Sequence, residues 1–140
     1  MTPQQKTLVR QTFARFAAHP ARAGALFYDR LFALEPSLRT MFPKNLQTLG
    51  QKFVNTLGAM IGALDDAGLG AVHLDALGRR HAMYGVQPQH YEAMREALLW
   101  SLAQLLGDEF DDDAAAAWCA AYKTAARAMQ KASQRAAERL

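Results

Sequence analysis

His81 is the residue in this chain whose type and setting most directly suggest chemistry. It lies in residues 74–86, LDALGRRHAMYGV, where Leu74, Leu77, Gly78 and His81 recur at spacings of three and four. That spacing puts them on one face of a helix. Gly85, Val86 and then Pro88 follow and end the helix. A histidine near the end of a short, apolar-faced helix has two readings. One is a core histidine satisfied by a backbone carbonyl. The other is an axial ligand to a haem iron. The residue types alone leave both open.

Other reactive groups are few. Cys119 is the one cysteine, so there is no internal disulfide and no cysteine-based zinc or iron–sulfur site. It sits beside Trp118 in an Ala-rich helical stretch and reads as a small buried hydrophobe. The net charge of +3 is mild and does not suggest nucleic acid. The charges are unevenly placed, however. Asp108, Glu109, Asp111, Asp112 and Asp113 form an acidic cluster, which suits the positive end of a helix dipole. Lys123, Arg127, Lys131, Arg135 and Arg139 recur every four residues. This stripe reads as a solvated helix face near a C-terminus, and docking of an acidic reductase is its sharper alternative.

The elements that must position these residues are all helices. Val, Ile and Thr are sparse, and no segment alternates over a strand's length. The 140 residues make one expected domain, spanning 1–140, and 51% are apolar. Such a chain buries roughly 68% of its unfolded surface. No apolar run approaches the ~18 residues of a membrane span. The start, MTPQQKTLV, lacks the charged and apolar regions of a signal peptide, so a cytoplasmic location is the default.

The first helix starts at Thr2, an N-cap with Pro3 and Gln5 behind it, and His19-Pro20 ends it. A second runs over 21–34 and breaks at Glu35-Pro36, followed by a short turn over 37–42 that leads into Pro43. A third spans 46–65. Gly68 and Gly70 punctuate a loop before the short His81 helix. A long helix covers 88–106 and stops at Gly107. The last opens in the acidic cluster and buries Trp118, Tyr122, Ala125 and Met129. No internal repeat supports a solenoid, and uneven helix lengths argue against a symmetric four-helix bundle.

In that order of elements, five stretches carry a resemblance. They are ALFYDRLF (25–32), LEPSLRTMFP (34–43), LGQKFVNTLGAMI (49–61), LGRRHAMYGVQPQHY (77–91) and AAWCAAYKTAARAM (116–129). Together they resemble the single-domain bacterial globins and the globin part of flavohaemoglobins. The resemblance implies an all-α globin fold of about six to seven helices enclosing a haem b pocket, with iron as the metal.

It also implies roles. His81 resembles the proximal iron ligand, with Leu77 packed under the haem beside it. Phe42 resembles the aromatic residue that globins stack against the haem plane; its alternative is a plain core Phe. Val86 belongs to the same haem-contacting set. Tyr28 matches a position whose hydroxyl points at the bound gas, where a donor stabilises the charge that dioxygen takes from ferrous iron. Its alternative is a core tyrosine bonded to a backbone carbonyl. Leu49 stands where globins usually carry His or Gln, and Phe53 faces the same distal pocket one turn on. Lys52 is placed to meet a haem propionate, or else is a solvated lysine. Gln47 and Gln51 are nearby but out of register. Flavohaemoglobin-like globins surround the proximal histidine with Tyr91 and a Glu from the last helix. Tyr91 is present, with a core residue of the long helix as its alternative. Ser133 stands in the Glu's place, and the nearest glutamate is Glu138.

Two functions follow from the resemblance. One is reversible dioxygen binding for storage, transport or sensing, with nitric oxide and carbon monoxide as further ligands. The other is nitric oxide dioxygenation. The chain stops at Leu140 without a flavin or nicotinamide domain, so turnover is expected to need a separate reductase. A haem-free globin-like interaction module is the third reading. Neither nucleic acid nor membrane is an expected partner.

Overall fold

The computed structural model describes residues 1–42, 46, 49–64, 67–83 and 85–138. Six α-helices run through the described residues: α1 (Pro3–Ala17), α2 (Pro20–Leu34), α3 (Leu49–Ala63), α4 (Ala67–Met83), α5 (Pro88–Leu106) and α6 (Asp112–Glu138). Short 3-10 turns at Pro36–Met41 and Gly107–Glu109 lie between them. Among the described residues there is no strand.

The helix ends follow from local chemistry. Thr2 accepts the Gln5 amide at 3.1 Å, and the Gln5 side chain accepts the Thr2 amide at 3.1 Å, which closes a capping box on α1. The α5 start is capped in the same way, with the Gln87 amide donating to His90 Nδ1 at 2.9 Å and Pro88 in the first turn. Asp111 caps α6 by accepting the Ala114 amide at 2.8 Å. Gly85, at φ 81°, turns the chain out of α4, while the Val86 amide still reaches the His81 carbonyl at 3.0 Å.

Two expectations change. The third helix, expected over 46–65, is described from Leu49 to Ala63; Gln47, Thr48, Asp65 and Asp66 lie outside the described residues, as do Pro43, Tyr84 and Arg139. Gly68 and Gly70 do not mark a loop. The backbone is helical through both, and the His81 helix has 17 residues rather than one short stretch. A glycine costs a helix roughly 1 kcal/mol against alanine, which tertiary packing overrides.

Close helix crossings set the architecture. At Gly24 a Cβ would lie 2.5 Å from Gly50 Cα, so α2 and α3 cross backbone to backbone. Gly78 of α4 meets the Met129 backbone of α6 with no room for a Cβ. Thr12 of α1 accepts the Trp118 indole N–H at 2.7 Å, tying α1 to α6 beneath a fully buried Trp118 and Phe16. Among the described residues, no helix is long and apolar enough to cross a membrane.

Candidate functional site

The helices leave a cavity of about 450 Å³ bounded by α2 to α6 and the first 3-10 turn, within the range of ligand clefts. Its walls are mostly apolar. From the sequence-derived set, Tyr28, Phe42, Leu49, Lys52, Phe53, Leu77, His81 and Val86 all line it.

His81 sits near the end of α4, and its Nδ1 lies 2.8 Å from the Leu77 carbonyl. A carbonyl only accepts, so Nδ1 carries the proton and donates. In the neutral ring Nε2 then holds a free lone pair. Burial pushes the His81 pKa below its usual 6.5, more than the Leu77 bond raises it, so the ring is neutral at pH 7. The backbone-satisfied reading and the ligand reading therefore use different ring nitrogens, and both fit the same residue. Among the described residues no cluster of three or more His, Cys, Asp or Glu could hold a bare metal ion. A lone imidazole in an apolar slot suits a metal that arrives with its other ligands, as the iron of a porphyrin does. Haem therefore fits this donor set.

Tyr91 does not line the cavity. Its ring stacks on His81, with centroids 6.0 Å apart and planes inclined by 28°. Its hydroxyl is buried with no hydrogen bond among the described residues. Burial raises its pKa, and the nearby Ser133 hydroxyl opposes that rise. Ser133 Oγ itself donates to the Gly78 carbonyl at 2.8 Å. Among the described residues no carboxylate is seen to contact Tyr91 or His81; the Glu138 side chain lies outside those described.

The wall formed by α2 and α3 is aromatic. The Tyr28 ring lies 5.1 Å from Phe27, 5.3 Å from Phe42 and 6.0 Å from Phe53. Phe27 and Phe53 stack at 4.3 Å. The Tyr28 hydroxyl makes no hydrogen bond among the described residues, so the backbone-bonded alternative is not realised there. Burial pushes its pKa up to about 12, which keeps the proton on and the group a donor. The Gly24–Gly50 crossing brings this tyrosine and Leu49 to one cavity. Gln51 is exposed and donates to Asn55 at 2.8 Å, away from the cavity. Arg39 donates to the Phe42 carbonyl at 3.3 Å and steadies that residue after the 3-10 turn.

Lys52 from α3 and Arg80 from α4 are exposed side chains that also line the cavity, so cations reach its rim from two helices. Sequence reasoning missed Arg80, although it directly precedes His81. It also missed His90, which is buried, lines the cavity and has Nδ1 committed to the Gln87 amide. The turn QPQH was the available signal for that cap. Tyr122, expected as core, lines the cavity and donates to the Tyr91 carbonyl at 2.6 Å.

Comparison with known proteins places these features in a family. The family model described as globin matches residues 25–129. Leghemoglobin of Psophocarpus tetragonolobus is 29% identical over 140 residues, covering 94% of this chain and 97% of that protein. The flavohemoprotein of Deinococcus radiodurans is 34% identical over 133 residues, or 87% of this chain. That of Xylella fastidiosa is 28% identical over 124 residues, or 86% of this chain. The chain spans 31% of the length of each of these two flavohemoproteins.

Proposed function

The chain belongs to the globin family and has the globin fold, and from that premise we propose that it binds haem and reversibly takes up dioxygen. The observation that carries this reading is the neutral His81, with Nδ1 engaged by Leu77 and Nε2 free, in the wall of a mostly apolar cavity. His81 would supply a nitrogen ligand to the iron. Phe42, Leu49, Phe53, Leu77 and Val86 would give it apolar walls, and Tyr91, stacked on His81, would orient that ring. Lys52 and Arg80, which line the cavity, would pair with the carboxylates that a haem b carries. When bound, the haem supplies a ferrous iron with an open position for a diatomic gas.

On the gas side, Tyr28 donates a hydrogen bond and the surrounding aromatic rings exclude water. Leu49 offers no nitrogen to the metal, so the chain does not compete with the gas through that residue. The backbone carbonyl of Leu77 accepts from His81 without a full negative charge. That leaves the imidazole less electron-rich than a carboxylate partner would, which favours binding over cleavage of an O–O bond. Similarity to flavohemoproteins supports a second reading, turnover of nitric oxide with dioxygen, fed by a separate reductase.

Absorption spectra of the purified protein test the proposal in the ferric state, after dithionite and after air. A five-coordinate ferrous form that becomes a stable oxygenated form is the expected result. A six-coordinate ferrous spectrum would mean that an internal residue blocks the gas position. No Soret band after haemin addition would leave the interaction-module reading. Rapid loss of the oxygenated form on nitric oxide, with fast re-reduction by cell extract, would favour turnover.

A further inference from the structure

Outside the central cavity, α4 and α6 form an open groove of about 640 Å³. Four cations line it: Arg79 from α4, and Arg127, Lys131 and Arg135 from α6. They face one carboxylate, Asp75. Arg79 pairs with Asp75 one helical turn away, and Arg135 reaches it at 3.0 Å from 60 residues on. That single carboxylate is thereby committed to two arginines. Arg127 and Lys131 are exposed and make no ion pair among the described residues. The acidic cluster around Asp112 does not neutralise them. It lies roughly 22 to 28 Å back along the α6 axis, about three Debye lengths away at physiological salt.

We propose that this groove docks the acidic face of another protein. Asp75 occupies Arg79 and Arg135, which leaves a compact anion such as a phosphate ester only Arg127 and Lys131 to bind. A protein face bearing separated carboxylates can pair with Arg127 and Lys131, which stand one turn apart on α6. Such complementarity acts mainly on partner choice and on association rate. A second copy of this chain, presenting the acidic cluster at the start of its α6 to this groove, is the competing occupant that the test separates. The docked partner would rest on α4, the helix that carries His81 on its cavity side. The proposal itself needs no haem.

A dye-labelled hexaglutamate peptide is the probe, followed by fluorescence anisotropy in about 10 mM salt, where screening is weak. The wild-type protein should bind it, and binding should weaken as salt is raised to about 150 mM. Arg127→Glu with Lys131→Glu should weaken binding by about tenfold or more. Reversing two charges on other helices, Lys6→Glu on α1 with Arg22→Glu on α2, changes the net charge equally and should weaken binding clearly less. Absence of peptide binding would overturn the proposal, as would an equal loss in the α1/α2 variant, which would reduce the effect to net charge. Displacement of the peptide by inorganic triphosphate at equal or lower concentration would make this a small-anion site instead. Wild-type oligomers that vanish in the Arg127/Lys131 variant would make the occupant a second copy. Both variants change exposed or half-exposed side chains, and unchanged circular dichroism confirms that they fold.

Discussion

Ser133 of α6 donates its hydroxyl proton to the carbonyl of Gly78 on α4 at 2.8 Å, one helical turn before His81. The bond sits where α4 lies against the Met129 backbone too closely for any side chain on residue 78. The helix that carries His81 is therefore held to α6 by a close glycine contact and a hydrogen bond side by side. Removing the hydroxyl with Ser133→Ala deletes this second bond on a carbonyl already inside the α4 helix and should lower stability by about 1 kcal/mol, read from urea unfolding.

Ser133→Glu is the more informative change. The carboxylate would stand beside Tyr91, whose ring packs on His81. It should make the imidazole more electron-donating and move the iron midpoint potential negative by on the order of 60 mV, a tenfold change for one electron. Spectroelectrochemistry measures this directly. An unmoved potential in a folded variant would mean that position 133 does not reach His81.

His81→Ala should remove the axial nitrogen and, with it, the Soret band of a tightly held haem on titration with haemin. The same residue makes the haem-free protein acid-sensitive. Burial lowers its folded pKa below 6.5, so below pH 6.5 the unfolded chain takes up a proton that the folded chain resists. Its stabilising effect is complete above pH 6.5 and is lost as pH falls through the lowered pKa. His81→Gln should flatten that part of the stability curve; an unchanged acid limb would assign it to other groups.

Tyr28→Phe keeps the ring packing against Phe27, Phe42 and Phe53 and removes only the donor. A hydrogen bond to a charged ligand contributes roughly 1.5–3 kcal/mol, so oxygen should leave about tenfold faster or more. Carbon monoxide, which gathers less charge, should be less affected. With its pKa at about 12, Tyr28 keeps its proton through pH 9, and the wild-type off-rate should be flat from pH 7 to 9 as far as this group is concerned. Stopped-flow measurement with a ligand trap gives both rates.

Gly50→Ala would place a methyl group 2.5 Å from the Pro20 carbonyl oxygen. Either α3 moves away from α2 or the protein loses about 1–3 kcal/mol to overpacking. Because Leu49 and Tyr28 stand on the two sides of that crossing, gas kinetics should change along with the melting temperature. A stable variant with unaltered kinetics would mean that the crossing does not set the pocket.

Local pattern was enough for much of this. Apolar spacing of three and four, Thr2 and Pro3 at one helix start, Pro88 at another, and Gly107 at a stop locate most of α1, α2, α5 and α6, because periodicity and capping act within a turn or two of the chain. The ordered motifs around Tyr28, Phe42 and His81 made the family legible as well. The start of α4 was not legible, since Gly68 and Gly70 weigh against a helix locally and only packing overrides that preference.

The remaining features depend on residues far apart in the chain. Nothing in the local sequence says that Gly24 and Gly50 touch, that Ser133 bonds to Gly78, that Tyr122 reaches the Tyr91 carbonyl, or that Arg135 shares Asp75 with Arg79. Helix spacing registers which face is apolar. Which residue on that face meets which partner depends on where one helix crosses another, and steric fit between two packed backbones decides that only in the folded chain.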